Sequence, residues 1–218
     1  MGDGASARFE TGTPLVDLDR LARRLSARAP VRYSGVEPKR RSAVAAVLRD
    51  RLRGSSSGVG AGPEVLLIRR TERAGDPWSG HMAMPGGRAD PEDADDLATA
   101  IRETEEEVGL RLGSDARFLG ALDDLPTLGR LAASTMVVAP MVFVLERDPG
   151  ALEIDETEVA EALWVPLGPM IRGEVATEHV FVHDGAQMRL PAFAHEGRVV
   201  WGLTYRILTT LLDLTRSF

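Results

Sequence analysis

The chain has 218 residues, 44% of them hydrophobic, which suits one sizeable domain with an extension and argues against two full domains. Its net charge of -7 argues against a protein that binds a nucleic-acid backbone, and the absence of cysteine excludes disulfides, thiolate metal sites and a cysteine nucleophile. Because no apolar stretch is long enough to span a membrane and no apolar signal core is present, we expect a cytoplasmic protein without a membrane partner.

The first predicted elements are a helix and two strands. Leucines at helical spacing between Leu15 and Leu25 predict an amphipathic docking helix, so residues 1–40 are interpreted as an N-terminal extension. Apolar runs at Ser42–Leu48 and Val65–Arg69 predict strands. Glycine and serine dominate the segment between these runs, which predicts a hairpin loop.

An acidic helix follows, and it carries the strongest functional signal in the sequence. Glu103, Glu106 and Glu107 are spaced i, i+3 and i+4, so a helix places them on one face, whereas Glu105 points elsewhere. Like charges at this spacing destabilise an isolated helix by about 0.2–0.5 kcal/mol per pair, and a divalent cation would turn the repulsion into binding. The alternative is a solvated face, because apolar residues lie roughly opposite the glutamates.

The residues that flank the acidic helix favour the metal-binding interpretation. Asp95 or Asp96 is a candidate N-cap, and Gly109 stands where a left-handed C-cap is expected. Before the helix, the turn Pro85–Gly87 lets the backbone approach a metal or phosphate closely, because residues without a Cβ do not obstruct it. We therefore expect Gly86 to contribute to metal binding beside the glutamates.

Further strands and helices are predicted after the acidic helix. Strands are expected at Phe118–Leu122, Met136–Leu145 and Leu163–Val165, a short helix at Pro166–Arg172, and an apolar closing helix at Trp201–Thr215. Strands on both sides of one central helix, with a second helix at the end, predict an α/β fold arranged as an α/β/α sandwich with a mixed β-sheet.

The acidic helix and the turn before it resemble the signature of the Nudix hydrolase family, which is Gly-x5-Glu-x7-Arg-Glu-aliphatic-x-Glu-Glu-x-Gly-aliphatic. Residues Arg102–Leu110 match its second half, except that Thr104 replaces an aliphatic residue. In the first half, the spacing from Gly87 to the arginine is one residue longer, and Ala94 occupies the early Glu position. The resemblance implies a Nudix-type α/β/α sandwich with a mixed β-sheet, assigned here to a hydrolase domain at residues 41–218.

The resemblance also implies roles for the charged residues of the helix. Family members hold Mg²⁺ or Mn²⁺ through the glutamates that match Glu103, Glu106 and Glu107. The residue that matches Glu103 is sometimes the general base. The arginine that matches Arg102 positions a glutamate, and Arg102 can reach Glu106 at i+4.

Other candidate site residues lie outside the helix. Many family members keep a second catalytic carboxylate in a loop before a strand, where this chain has Glu158 and Glu161, although a solvated acidic loop is an equal alternative. Four residues are substrate-binding candidates, namely Arg70, Trp78, His81 and Arg88. An arginine can present a bidentate fork to phosphate, whereas a tryptophan either stacks on a base or covers the core edge. An ordinary hydrogen-bonded loop histidine is the alternative for His81.

The expected reaction is hydrolysis of a pyrophosphate bond in a small-molecule nucleoside diphosphate linked to another group. Phe118–Asp123, Ala162–Leu167 and Val200–Thr204 resemble the branch of the family that cleaves coenzyme A and its derivatives, which we favour. Trp78 stands where that branch has a histidine, so ADP-ribose or a related dinucleotide is an alternative substrate. A second alternative is a non-catalytic module that binds a nucleotide. The N-terminal and C-terminal helices either help to form a homodimer or pack on their own domain.

Overall fold

The computed structural model describes residues 16–33, 40–50, 62–75, 78–127, 136–183 and 186–216. The helices in these ranges are α1 (Leu18–Ser26), α2 (Asp96–Val108), α3 (Leu112–Asp115), α4 (Leu167–Ile171) and α5 (Gly202–Thr215). The strands are β1 (Arg41–Asp50), β2 (Pro63–Arg70), β3 (Met82–Ala83), β4 (Gly86–Arg88), β5 (Ala116–Ala121), β6 (Leu125–Pro126), β7 (Val137–Leu145), β8 (Val159–Pro166), β9 (Ala176–His183), β10 (Ala186–His195) and β11 (Arg198–Val200). Leu15 and most of the predicted hairpin loop between β1 and β2 lie outside the described residues.

The main sheet is mixed, as predicted. Its path runs β3-β2-β1-β7-β5, and β1 pairs antiparallel with β2 but parallel with β7. Three strands join this path from the side, with β4 pairing with β1, β6 with β7 and β8 with β2. A separate antiparallel sheet has the order β11-β10-β9.

Helices cover both faces of the main sheet, which confirms the predicted α/β/α sandwich. Alternate residues of β1 point to opposite faces, so Ala43 and Val47 pack in the core that contains α2 and α3, whereas Leu48 packs in the core that contains α1, α4 and α5. Leu21 of α1 and Leu208 of α5 are fully buried in that second core. Each such leucine contributes about 1.5–3 kcal/mol through burial.

Helix α2 begins and ends at its predicted capping residues. The Asp95 carboxylate accepts a hydrogen bond from the Ala98 N–H at 2.8 Å, which satisfies one free donor of the first turn. Gly109 ends the helix in the left-handed region with φ of 73°, and its N–H donates to the Glu105 carbonyl. Asp96, the other N-cap candidate, instead forms an ion pair with Arg41 at 2.6 Å.

Two features of the later chain differ from the sequence-based expectation. The strand predicted at Leu163–Val165 starts earlier, at Val159, so Glu161 lies inside β8 and the prediction of a loop position for it is wrong. The β9–β11 sheet was not predicted, because its strands mix charged, aromatic and apolar residues without clean alternation.

The predicted docking helix packs on the rest of the chain. Leu21 and Leu25 of α1 enter the core that also holds the apolar face of α5, and the Arg24 guanidinium donates to the Asp213 and Leu214 carbonyls. The apolar faces of both terminal helices are therefore covered within one chain, and the homodimer stays a prediction, as does the division at residues 1–40 and 41–218. None of the helices in the described ranges combines the length and hydrophobicity needed to cross a bilayer.

Candidate active site

The acidic face of α2 is not uniformly solvated. The side chain of Glu107 is only 2% exposed and is buried beside Thr104 and Val108, whereas Glu106 is exposed and Glu103 lies between these extremes. The solvated-face interpretation is therefore wrong for Glu107. A carboxylate with this degree of burial requires a hydrogen bond or a cation to offset its lost hydration.

The turn before α2 supplies the first partner of Glu107. The Gly86 N–H donates to Glu107 Oε2 at 2.8 Å, and Gly86 has φ of 146°, a conformation that residues with a side chain rarely adopt. A Cβ at Gly86 would overlap the Ala43 carbonyl oxygen, and a Cβ at Gly87 would overlap the Glu103 carboxylate. Gly86 is thus required for β4 to lie this close to β1, whereas the missing side chain at Gly87 leaves room for the Glu103 carboxylate. The role of Gly86 as a metal ligand stays a prediction.

Arg102 lies at the centre of an ion-pair network. Its Nη1 donates to Glu103 Oε1 at 2.9 Å and to Glu106 Oε2 at 3.0 Å, and its Nη2 donates to the Arg88 carbonyl. On its other side, Asp93 accepts from Nε at 3.0 Å and from Nη2 at 2.8 Å. The bidentate contact with Asp93 fixes the plane of the guanidinium group and hence its orientation towards the two glutamates.

Asp93 is a site residue that the sequence analysis did not select. It directly precedes Ala94, which occupies the early glutamate position of the family signature when residues are counted back from Arg102. The spacing from Gly87 to Arg102 is one residue longer than in the signature, so the acidic residue lies one position earlier. The Arg102 guanidinium beside Asp93 holds the pKa of that carboxyl well below its usual value. The signal available in the sequence was the shifted spacing together with an adjacent acid.

We expect Asp93→Asn to lower the free energy of unfolding by about 1–2 kcal/mol near neutral pH, because the variant loses charge-assisted hydrogen bonds to Arg102. A carboxyl whose folded pKa is depressed contributes stability above its unfolded pKa, here its usual value of 3.8. That contribution is lost as the pH falls through the folded pKa. Urea denaturation should therefore show a difference from wild type near pH 7 that shrinks below about pH 4.

The control for this variant is Glu92→Gln, which removes an exposed carboxylate from the adjacent residue. It should leave stability within about 0.5 kcal/mol of wild type at both pH values. A pH-independent loss in Asp93→Asn would contradict an electrostatic role for Asp93.

The carboxylates repel one another where no arginine separates them. Burial, together with the negative charges of Glu103 and Glu158, raises the pKa of Glu107 to about 8 against the opposing effects of the Gly86 N–H and Arg70. Burial likewise raises the pKa of Glu103, against the opposing effect of Arg102. The site therefore has an excess of negative charge that a cation would stabilise.

The donor set fits a hard divalent cation. Glu103, Glu106, Glu107 and Glu158 offer carboxylate oxygens, the ligand type that Mg²⁺ and Mn²⁺ prefer. In the described ranges, no three acidic or histidine side chains are already arranged as a metal-binding group. Two of the glutamates contact Arg102 and Glu107 contacts Gly86, so small side-chain rotations would be needed to bring their oxygens together.

Glu158, the predicted second catalytic carboxylate, and Glu161, from the same predicted loop, have different surroundings. Glu158 lies just before β8 with its side chain 44% exposed, and its charge raises the pKa of both Glu103 and Glu107. Glu161 forms ion pairs with Arg198 and Arg69, and the Arg198 guanidinium lowers its pKa. Glu161 thus neutralises arginines away from the acidic group, whereas Glu158 belongs to that group.

The four substrate-binding candidates lie at the end of β2, at the end of β4 and in the segment before β3. Arg70 ends β2, its N–H donates to the His81 carbonyl at 3.1 Å, and its charge acts on Glu107. Arg88 is exposed at the end of β4. Trp78 is 45% exposed, and its ring centroid lies 6.4 Å from that of His81.

The structure adds aromatic residues that the sequence analysis did not assign to the site. The Trp201 ring lies edge-on to His81 at 4.9 Å and stacks on His179 at 4.1 Å with an interplanar angle of 21°. Phe181 contacts the same indole at 5.3 Å. The sequence pattern did not indicate that these residues are neighbours, because they are far apart in the chain and come together only in the folded structure.

Comparison with protein families finds one match that covers most of the chain. A model of the NUDIX domain matches residues 38–182. This range includes the glycine turn, the acidic helix and Glu158, and it ends within β9.

Three relatives illustrate the sequence similarity. An uncharacterised protein of Schizosaccharomyces pombe is 42% identical over 117 residues, which cover 53% of this chain and 35% of the relative. The mitochondrial coenzyme A diphosphatase NUDT8 of Homo sapiens is 34% identical over 153 residues, covering 70% of this chain and 63% of the relative. An uncharacterised Nudix hydrolase, NudL of Photorhabdus laumondii, is 34% identical over 152 residues, covering 68% of this chain and 75% of the relative. The chain thus spans about a third of the first relative and less than two thirds of the second.

Proposed function

This chain belongs to the Nudix family, and we propose that it is a metal-dependent pyrophosphohydrolase that cleaves a diphosphate bond in a nucleoside diphosphate linked to another group. Coenzyme A and its derivatives are the favoured substrates. The observation that carries the proposal is the burial of Glu107 among three further carboxylates beside the Gly86–Gly87 turn. A purely structural role does not explain this concentration of negative charge, which is costly unless a cation binds.

The proposed metal site uses the residues that the sequence predicted. Glu103, Glu106 and Glu107 would hold Mg²⁺ or Mn²⁺, with Gly86 beside them. When bound, such a cation neutralises the diphosphate and acidifies a water molecule. Arg102 would keep two of the glutamates oriented through its contacts at 2.9 and 3.0 Å.

The remaining charged residues would act on the substrate and on the attacking water. Arg70 would contact phosphate, a role supported by the effect of its charge on Glu107. Glu103 or Glu158 would accept the proton of the attacking water. This proton transfer needs a carboxylate next to the metal site. Glu158 lies before β8 with a partly exposed side chain that pairs with Arg73 at 3.5 Å, and it would exchange this surface ion pair for a contact with the attacking water.

The substrate preference has two sources. The coenzyme A diphosphatase of Homo sapiens is 34% identical to this chain, and the stretches named above resemble the same branch. The partly exposed ring of Trp78 favours a second candidate, ADP-ribose or a related dinucleotide, since an exposed indole can stack on a base. A cytoplasmic location is part of the proposal, with no nucleic-acid or membrane partner.

A substrate screen tests the proposal directly. The protein is incubated with Mg²⁺ or Mn²⁺ and one candidate substrate: coenzyme A, ADP-ribose, NADH, a diadenosine polyphosphate or a nucleoside triphosphate. The products are separated by chromatography and identified by mass spectrometry. We expect coenzyme A to give one product with adenine and one with pantetheine, each carrying phosphate, and no cleavage in a chelator. Binding of these compounds without any phosphate-bearing product would instead support a non-catalytic module.

A further inference from the structure

Five aromatic residues form a continuous group beside the glycine turn, here called the aromatic wall: Trp78, His81, His179, Phe181 and Trp201. Trp201 is its central ring, with His179 stacked on it at 4.1 Å and His81 against it edge-on at 4.9 Å. Trp78 contacts His81 and is the outermost ring. The wall is built from three separate parts of the chain, namely the segment before β3, strand β9 and the start of α5.

The aromatic wall is not part of the hydrophobic core. Its three apolar rings, Trp78, Phe181 and Trp201, are not part of either apolar cluster of the described ranges, and all five members keep some solvent exposure. The aromatic pair Phe193 and Tyr205 shows the contrast, because Phe193 is 5% exposed and Tyr205 packs against the core. Large aromatic side chains that remain partly exposed and contiguous are more typical of ligand contact than of packing.

The wall is adjacent to the carboxylate site. The His81 carbonyl accepts the Arg70 N–H at 3.1 Å, and the charge of Arg70 acts on Glu107. The next N–H of the chain, that of Thr71, donates to the Glu158 carbonyl at 2.9 Å. The end of β2 therefore connects the wall on one side with the acidic group on the other.

We infer that the aromatic wall binds the nucleobase of the substrate, a step that rests on the proposed function because it places the diphosphate at the carboxylates. Indole and imidazole rings stack on the planar face of a base, and this contact is tolerant of base identity. Imidazole nitrogens can also exchange hydrogen bonds with the edge of a base. A flexible aliphatic arm would gain less from a row of planar rings, so the base is the better occupant.

Binding of a matched pair of small probes tests the inference without turnover. AMP and ribose 5-phosphate differ only in the base, and neither contains a diphosphate bond. We expect wild-type protein to bind AMP more tightly by calorimetry, and His179→Ala, Trp201→Leu and Trp78→Leu each to raise the Kd for AMP by about tenfold. Ribose 5-phosphate should bind all four proteins within twofold of one another.

The matched control is His195→Ala, a histidine of β10 whose Nε2 lies 4.0 Å from the Glu196 carboxylate and which is not a member of the wall. It should change neither Kd. Equal binding of AMP and ribose 5-phosphate to the wild type would overturn the inference. An AMP affinity that all three wall variants leave unchanged would also overturn it. So would wall variants that bind pantetheine more weakly than the wild type while binding AMP equally well. Because AMP is not cleaved, a substrate screen without products would overturn the proposed function and not this result.

Discussion

Replacing Glu107 with glutamine is expected to lower kcat for the metal-dependent reaction by about a thousandfold while the protein stays folded. Glutamine has nearly the same volume as glutamate, and its carbonyl oxygen can still accept the Gly86 N–H that Glu107 accepts at 2.8 Å. The variant loses only the ability to become a negatively charged metal ligand at the most buried of the four carboxylates. Steady-state kinetics with saturating Mg²⁺ and the substrate identified by the screen provide the measurement.

The same variant has an expected signature in stability. Burial raises the folded pKa of Glu107 from 4.5 to about 8, so between these values the folded protein holds a proton that the unfolded chain releases. The metal-free wild type should therefore lose stability as the pH rises from about 5 to about 8, and Glu107→Gln should lack this loss. Thermal denaturation in a chelator checks the sign, and added Mg²⁺ should stabilise the wild type more than the variant.

The matched control is Glu105→Gln, which changes an acid of the same helix. Glu105 is exposed, pairs with Arg111 at 3.3 Å and lies away from the acidic group. The Glu105→Gln variant should have the same kcat and the same pH-dependent stability as the wild type. Retained turnover in Glu107→Gln would show that the metal is bound elsewhere.

Most of the architecture around the site could be predicted from local pattern. The caps of α2 at Asp95 and Gly109 follow from residue types that satisfy free backbone groups or adopt positive φ. The mixed sheet follows from the apolar runs at β1, β2 and β7, each of which is almost completely buried. These features depend on residues close together in the sequence.

What the sequence could not show depends on contacts between distant segments. Helix periodicity put Glu107 on the same face as Glu106, but the fold buries Glu107, which accepts a hydrogen bond from Gly86 of β4, and leaves Glu106 exposed. Asp93 takes its position from a loop whose length departs from the family signature. Trp201, just before α5, stacks on His179 of β9, and nothing in the local pattern of either segment specifies that contact.

The two glycines before α2 are expected to fail in different ways when replaced by alanine. At Gly86, a Cβ would overlap the Ala43 carbonyl and the Val44 Cα, and φ of 146° adds backbone strain. Because backbone atoms cannot move aside, Gly86→Ala should lower the free energy of unfolding by about 3 kcal/mol or more. Urea denaturation of the purified variant measures this loss.

At Gly87, the atoms that a Cβ would overlap belong to the Glu103 carboxylate, the far end of a flexible side chain. Gly87→Ala should therefore keep the fold, displace that carboxylate and lower kcat about a hundredfold, with a free energy of unfolding within about 1 kcal/mol of wild type. Gly113→Ala, where a Cβ meets no atom within 4 Å, is the control for an added methyl group and should change neither quantity. Full activity in Gly87→Ala would mean that the position of the Glu103 carboxylate over the turn is irrelevant to catalysis. If Gly87→Ala lost as much stability as Gly86→Ala, both glycines would be required only for the backbone conformation of the turn.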